Sequence, residues 1–287
     1  MNARPDTVLI HPGGALGDFV LTWPLARSLV ASGRRVRVVS AASKAELAAA
    51  ALGVDVAADH LPPWSGLWRG EMKAQPFPSV ELVVAFGERS QPWLTATAQL
   101  FPSARVEVER RLVDRTVAIE LAERFAARVV LHPPVTLHPA GPVVMHVGSG
   151  GIAKQWPLHA WLSLKQKLEA AGFPLRLIAG EAEHERFRDA DRARFAGAGG
   201  QFVEAIQDLV EIVGQARAFV GADSGPSHLA AQLGTPTLAL FGPTDPHRWS
   251  PIGPRVSVVQ APEGTMNALT VETVWESLSG LIAQEQA

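Results

Sequence analysis

Phe219–Pro246 reads FVGADSGPSHLAAQLGTPTLALFGPTDP, and its order of residue types decides the fold. Ala218–Gly221 is an apolar run of strand length, Asp223-Ser224-Gly225 is a turn, Pro226–Leu233 has helical spacing, and Thr237–Phe241 is a second apolar strand. Strand, turn, helix and strand in this order form a βαβ unit of a parallel sheet. Where such a strand runs straight into a helix, backbone amides and the helix amino end make a site for an anion. Each residue also has a plainer use, since Asp223 or Ser224 could cap the helix and His228 could bond within its own turn. A hydrolase triad of Ser224, His228 and Asp223 is excluded. There is no Gly-x-Ser-x-Gly elbow, and neighbours in one turn cannot reach triad geometry.

Upstream, the same alternation opens at Val143–Val147, followed by a helix over His159–Ala171, a strand over Leu175–Ala179, and a helix over Leu209–Gln215. Between the first strand and helix stands HVGSGGIAKQWP, His146–Pro157. Its amides from Gly148 to Gly151, Ser149 and Gly150 among them, could cradle phosphate oxygens, and Lys154 could add a compact positive charge. Gly180-Glu181-Ala182-Glu183 follows the strand Leu175–Ala179 and offers a carboxylate for ribose hydroxyls or merely a charged helix start; spacing does not separate Glu181 from Glu183. Proline-rich His132–Pro142 marks the domain boundary, because proline stiffens a chain and blocks helix continuation. The domains are then 1–138 and 139–270, with Val271–Gln284 as a closing helix within 271–287.

The first half alternates as well. Thr7–His11 and Arg35–Ser40 read as strands, Asp18–Ala31 and Lys44–Leu52 as helices, and Val80–Phe86 as a strand whose near-continuous apolar run suits a buried parallel sheet. The turn IHPGGALGDF departs from the dinucleotide fingerprint, because its glycines are Gly13, Gly14 and Gly17 and the second strand ends in Ser40 and Ala41 rather than an acidic residue. No Gly-Lys-Ser/Thr follows any glycine run, which removes the phosphate-loop ATPases. Asp18 directly after Gly17 could cap its helix or, in a cleft, accept a proton from an attacking hydroxyl. Leu61–Pro78 carries two tryptophans and four prolines with little periodicity, and reads as a loop or short helix at an acceptor site or as a packed insertion.

Composition narrows the classes. With 47% hydrophobic and 19% charged residues, the 287-residue chain has ample core for two domains. A net charge of -2 gives no support for a nucleic-acid partner. The absence of cysteine excludes disulfides and thiolate chemistry and is compatible with the cytoplasm. No signal-peptide core and no membrane-spanning stretch is read, so a lipid-linked partner would be met at a membrane surface. The histidines show no metal-ligand spacing, and no metal or cofactor is expected.

GALGDFVLTWPL near the start, KQWP in the middle and GADSGPSHLAAQLG…ALFGPTDPHRWSPIG near the end together resemble glycosyltransferase family 9, the ADP-heptose:lipopolysaccharide heptosyltransferases. The resemblance implies an α/β, GT-B architecture of two Rossmann-like domains facing across a cleft, with the final helix returning to the first. It implies a nucleotide-diphosphate sugar donor held by the second domain and a lipopolysaccharide-core or related surface-glycan acceptor, met in transient contact with the cytoplasmic face of the inner membrane. By this resemblance Asp18 is the general base, Lys154 a phosphate-binding lysine, and Asp223, Ser224, Gly225 and His228 the diphosphate loop, with Ser149 and Gly150 beside it and Glu183 on the ribose. Gly17, Arg69, Lys73 and Arg110 are acceptor candidates by position, with Arg111 and Arg115. The family commonly has a basic residue after the lysine, as in KRWP, where this chain has Gln155. The reaction expected is a single displacement that inverts the anomeric carbon. The alternatives are a non-catalytic nucleotide-sugar-binding protein and another GT-B enzyme such as a nucleotide-sugar epimerase.

Overall fold

The structure is a computed structural model, and residues 6–10, 14–62, 64–69, 80–87 and 91–284 are described. It divides into two compact units, Met1–Leu131 and His132–Ala287.

The first unit runs β1 (Asp6–Ile10), α1 (Leu16–Val20), α2 (Trp23–Ala31), β2 (Arg35–Ser40), α3 (Ala42–Leu52), β3 (Asp55–Ala58), α4 (Trp64–Arg69), β4 (Val80–Phe86), α5 (Gln91–Leu100), β5 (Arg105–Glu109) and α6 (Arg115–Phe125). Its strands form a parallel sheet in the order β3-β2-β1-β4-β5. Val83, Val84 and Ala85 of β4 are fully buried, as expected of a central strand covered on both faces. The single helix expected over Asp18–Ala31 is two. The Thr22 hydroxyl donates to the Phe19 carbonyl (2.7 Å), and Pro24 sits in the first turn of α2, where its missing N–H costs nothing. Gly33 ends α2 at φ 82°, a left-handed turn that glycine adopts without strain.

The second unit runs β6 (Val143–His146), α7 (Leu158–Ala170), β7 (Leu175–Ala179), α8 (Glu181–Arg186), α9 (Asp189–Gly197), β8 (Gln201–Phe202), α10 (Ile206–Gly214), β9 (Ala218–Ala222), α11 (Gly225–Gln232), β10 (Thr237–Phe241), α12 (Pro246–Trp249), β11 (Val256–Gln260) and α13 (Val271–Ala283). The sheet order is β11-β10-β9-β6-β7-β8, all parallel. From β6 the chain winds outward through β7 and β8, then returns to β9 on the other side. The point between β6 and β9, where the winding reverses, is where open α/β sheets bind ligands beyond the carboxyl ends of their strands.

One expectation about the domains changes. The unit boundary lies at the start of the proline-rich stretch, at Leu131/His132, instead of at 138/139. The physical cause is that this stretch is tied to the second unit, with the Thr136 amide donating to the Gly234 carbonyl (2.8 Å) and its hydroxyl to that of Leu233 (3.3 Å). The packing described for α13 is within the second unit. Its buried stripe Val274, Leu278, Leu281 and Ile282 joins the core of Met145, Trp161, Leu164 and Leu240. That stripe has helical spacing and lies against α7 and strands β9, β10 and β11.

Candidate active site

At the β6/β9 reversal three segments meet: the loop after β6, the turn after β9 and the loop after β10. Asp223, just past β9, is buried, and its Oδ2 accepts from Lys154 Nζ (2.7 Å) and from the Thr244 hydroxyl (2.7 Å). Parallel pairing of β9 with β10 puts their carboxyl ends side by side, which is why Thr244 reaches a residue twenty-one positions earlier. Lys154 stands at the end of a single 3-10 turn, Ile152–Lys154. Its side chain is about one third exposed, so one side grips Asp223 and the other faces solvent. α11 opens on N-cap Ser224, whose hydroxyl donates to the Ala222 carbonyl (3.2 Å) instead of capping the helix. The helix amino end with Gly225 therefore keeps its positive character toward the same region.

His228 on α11 is buried, with Nε2 3.9 Å from Asp223 Oδ1. Asp223, expected on the diphosphate, is a buried carboxylate that holds Lys154 in place. Glu183, expected on ribose, is only 2% exposed. Its Oε1 accepts from the Ser149 amide (3.0 Å) and Gln155 Nε2 (3.3 Å), and its Oε2 accepts from the Gly180 amide (3.3 Å). With both oxygens engaged, the carboxylate braces the start of the loop. Burial pushes it above the usual carboxylate range, opposed by those amides and by Arg186. A Cβ on Gly148 would come within 2.1 Å of a Glu183 oxygen, so a side chain there would displace the carboxylate. Arg186, one turn on along α8, donates to the carbonyls of Ser149 (3.1 Å) and Gly150 (3.0 Å). Ser149 is thus buried and bonded, and Gly150 is the exposed residue of the cradle. Val147, Gln155, Trp156, Arg186, Phe187 and Met266 help line a cavity of about 580 Å³ beside this loop.

In the first unit, Asp18 lies in the first turn of α1 and is half-buried. The N-cap is Ala15 and no side chain caps the helix, so Asp18 does not have the capping role open to it. Lys44 of α3 donates to the Gly14 carbonyl and stands 5.9 Å from the Phe19 ring centre. Burial lowers its affinity for a proton, while the charges of Asp18 and Asp59 raise it. Of the acceptor candidates, Gly17 lies inside α1, Arg69 ends α4 and Arg110 is exposed after β5, whereas Lys73 lies outside the described residues. Arg111 is occupied by Glu109 (2.9 Å) and Glu120 (3.0 Å). Arg115 starts α6 and is half-buried.

Sequence reading misses Thr244, Arg186 and Lys44, and treats Gln155 only as a departure. Thr244 is within reach of such reading: it stands in a turn directly after a strand, GPTDP, where a parallel sheet gathers ligand groups. Arg186 and Lys44 carry no signal, being ordinary helix cations until the fold brings them to the two glycine loops.

Residues 68–278, more than half of the chain, match the family described as glycosyltransferase family 9 (heptosyltransferase). The chain belongs to glycosyltransferase family 9. Among curated family relatives, lipopolysaccharide heptosyltransferase 1 of Escherichia coli K12 is 32% identical over 133 residues, 45% of this chain and 40% of that protein. The enzyme of the same name from Pseudomonas aeruginosa is 34% identical over 104 residues, 36% of this chain and 29% of that one. The alignments therefore span less than half the length of these relatives. Likeness of fold reaches further. The structure of E. coli ADP-heptose lps heptosyltransferase II matches with a TM-score of 0.70 at 18% identity, over 98% of this chain and all of that one. A family 9 glycosyl transferase from Veillonella parvula matches with a TM-score of 0.71 at 15% identity, over 99% of each. The fold of this family 9 chain is accordingly GT-B, α/β with two parallel sheets.

Proposed function

We propose that this protein is an inverting glycosyltransferase that moves heptose from ADP-heptose to a lipopolysaccharide-core acceptor. The observation that carries this reading is the set of anion-binding groups at the β6/β9 reversal: Lys154 held by buried Asp223, exposed Gly150, and the amino end of α11 behind Ser224 and Gly225. These suit a diphosphate that must gain negative charge as it leaves. Heptose and lipopolysaccharide come from the names of the curated relatives, and ADP-heptose from the name of the E. coli heptosyltransferase II that shares the fold.

The acceptor hydroxyl oxygen forms the new bond to the anomeric carbon while the bond from that carbon to the diphosphate oxygen breaks. The hydroxyl proton passes to Asp18, and the electron pair of the broken bond stays on the diphosphate, stabilised by Lys154 and the loop amides. Attack on the face opposite the leaving group inverts the configuration. Asp223 and Thr244 position Lys154 and make no contact with the reacting atoms. No metal has a part in this sequence of steps. The acceptor is met at the cytoplasmic surface of the inner membrane; no helix among the described residues is long and apolar enough to cross one.

Asp18→Asn is the test. Loss of a general base lowers turnover by about 10²–10⁴-fold, so the variant should lose transfer in an ADP-heptose assay while binding ADP as the wild type does. Full turnover by Asp18→Asn refutes the assignment of the base. A wild-type protein unresponsive to ADP, and responsive instead to UDP or GDP, refutes the choice of donor.

A further inference from the structure

Among the side chains that hold the loop the proposed function places under the diphosphate is Gln155, which the sequence marks only as a departure from the family pattern. Gln155 Nε2 lies 3.3 Å from Glu183 Oε1 and 3.3 Å from the Ser149 carbonyl. The same carboxylate oxygen takes the Ser149 amide, and the same carbonyl takes Arg186. Ser149 is thus fixed at its N–H by Glu183 and at its C=O by Gln155 and Arg186, the Gln155–Glu183 bond closing a ring through Ser149, and Gly148 leaves the space in which the Glu183 carboxylate fits. Glu183 and Arg186 are three apart on α8 and share a face. Gln155 comes from the far end of the loop and closes the ring across its mouth.

We propose that Gln155 is a positioning residue, which by bridging Glu183 to Ser149 presets the Gly150–Ile152 backbone that receives the donor's phosphates. A glycine-rich loop otherwise loses much conformational freedom when a ligand orders it, and presetting removes that loss from the binding step. A neutral amide suits the place. It donates to carboxylate and carbonyl together, and it leaves Arg186 free to hold the other side. The link to donor binding rests on the function proposed above; the link to loop order does not.

The experiment therefore reads both. Amide hydrogen exchange of residues 149–152 is followed in the ligand-free wild type, Gln155→Ala and Gln155→Glu, with melting temperatures to verify folding. ADP affinity is measured on the same samples. Gln155→Ala should exchange faster in this loop, with distant strands unchanged, and should bind ADP about tenfold more weakly, the scale of one lost buried hydrogen-bond partner.

Gln155→Glu sets a second carboxylate against Glu183, whose other charged or titratable neighbours are Arg186 and the buried His146 near Gly180. Like charges there favour sharing one proton. Its loop exchange, corrected for the intrinsic pH dependence, and its ADP affinity should return toward wild type as pH falls from about 8 to about 5.5, whereas Gln155→Ala should show no such rescue. Unchanged loop exchange in Gln155→Ala, or the same pH response in both variants, overturns the proposal. Faster exchange with unaltered ADP affinity overturns its donor-binding half. A wild type that binds no nucleotide refutes the proposed function and leaves the exchange result to stand or fall by itself.

Discussion

His146 shows how much a single buried residue can set. It ends β6, stacks at 6.4 Å on Phe219, and its Nδ1 lies 3.3 Å from the Gly148 amide nitrogen and 3.2 Å from the Gly148 carbonyl oxygen, so the neutral ring is part of the start of the phosphate loop. Burial lowers its pKa from 6.5 to about 4. The unfolded chain takes up this proton at higher pH than the folded one. The contribution is therefore fully present above pH 6.5 and is lost as pH falls from there through about 4. The size is on the order of 3 kcal/mol. Glu183 opposes it at the acid end, because a carboxyl with a raised pKa favours folding as pH falls. Denaturant titrations of wild type and His146→Gln between pH 7 and pH 4 separate the two. The variant should show a shallower loss of stability across that window, and equal slopes would refute a neutral buried ring. Asp223 and Glu183 teach the same lesson from the acidic side: both carboxylates are buried and bonded to protein, and both serve by holding other groups in place.

Among the elements, α13 carries the clearest consequence. Leu278 is fully buried, and with Val274, Leu281 and Ile282 it packs into the core of the second unit. Leu278→Ala should cost about 2–5 kcal/mol, the range for a truncated core leucine whose surroundings cannot close the gap. It should also weaken ADP binding only as far as folding is lost, which chemical denaturation and calorimetric titration of one sample would show. A loss under about 1 kcal/mol would mean that α13 is not integral to that core. The α1/α2 break belongs to this scale too. Pro24 opens a new helix, so Asp18 lies on a five-residue segment of its own, next to the turn at Gly14 and to Lys44.

For the whole molecule, the consequence comes from two separate cores. One gathers Val8, Val83, Trp93 and Phe101 in the first unit, and the other gathers Met145, Trp161, Leu240 and Leu278 in the second. Units with their own cores unfold as their own cooperative transitions. Calorimetry of the full chain should resolve two, and ADP at about 100 times its dissociation constant should stabilise one of them by about 2.7 kcal/mol. Equal shifts of both would contradict the assignment of the nucleotide to the second unit alone, and one indivisible transition would contradict the separate unfolding of the two cores.

How much of this is legible follows from the range of each interaction. Alternating apolar runs and turns specify strands and helices locally, so the α/β class, most strands of both sheets and the glycine loops at Gly13–Gly17, Gly148–Gly151 and Asp223–Gly225 can be read directly. β3, β5, β8 and β11 escape such reading: each is an edge strand and only partly buried. Lys154 and Asp223 can be named from the residues, but their bond across 69 positions cannot, since it depends on β6 lying beside β9. Residue type and order by themselves determined the family, the fold class and where the anion-binding loops fall. Tertiary structure alone decided which groups in those loops face outward. Burial is settled by what packs on top of a residue, and Glu183 and Gln155 acquire their roles only when α8 is laid against the loop after β6.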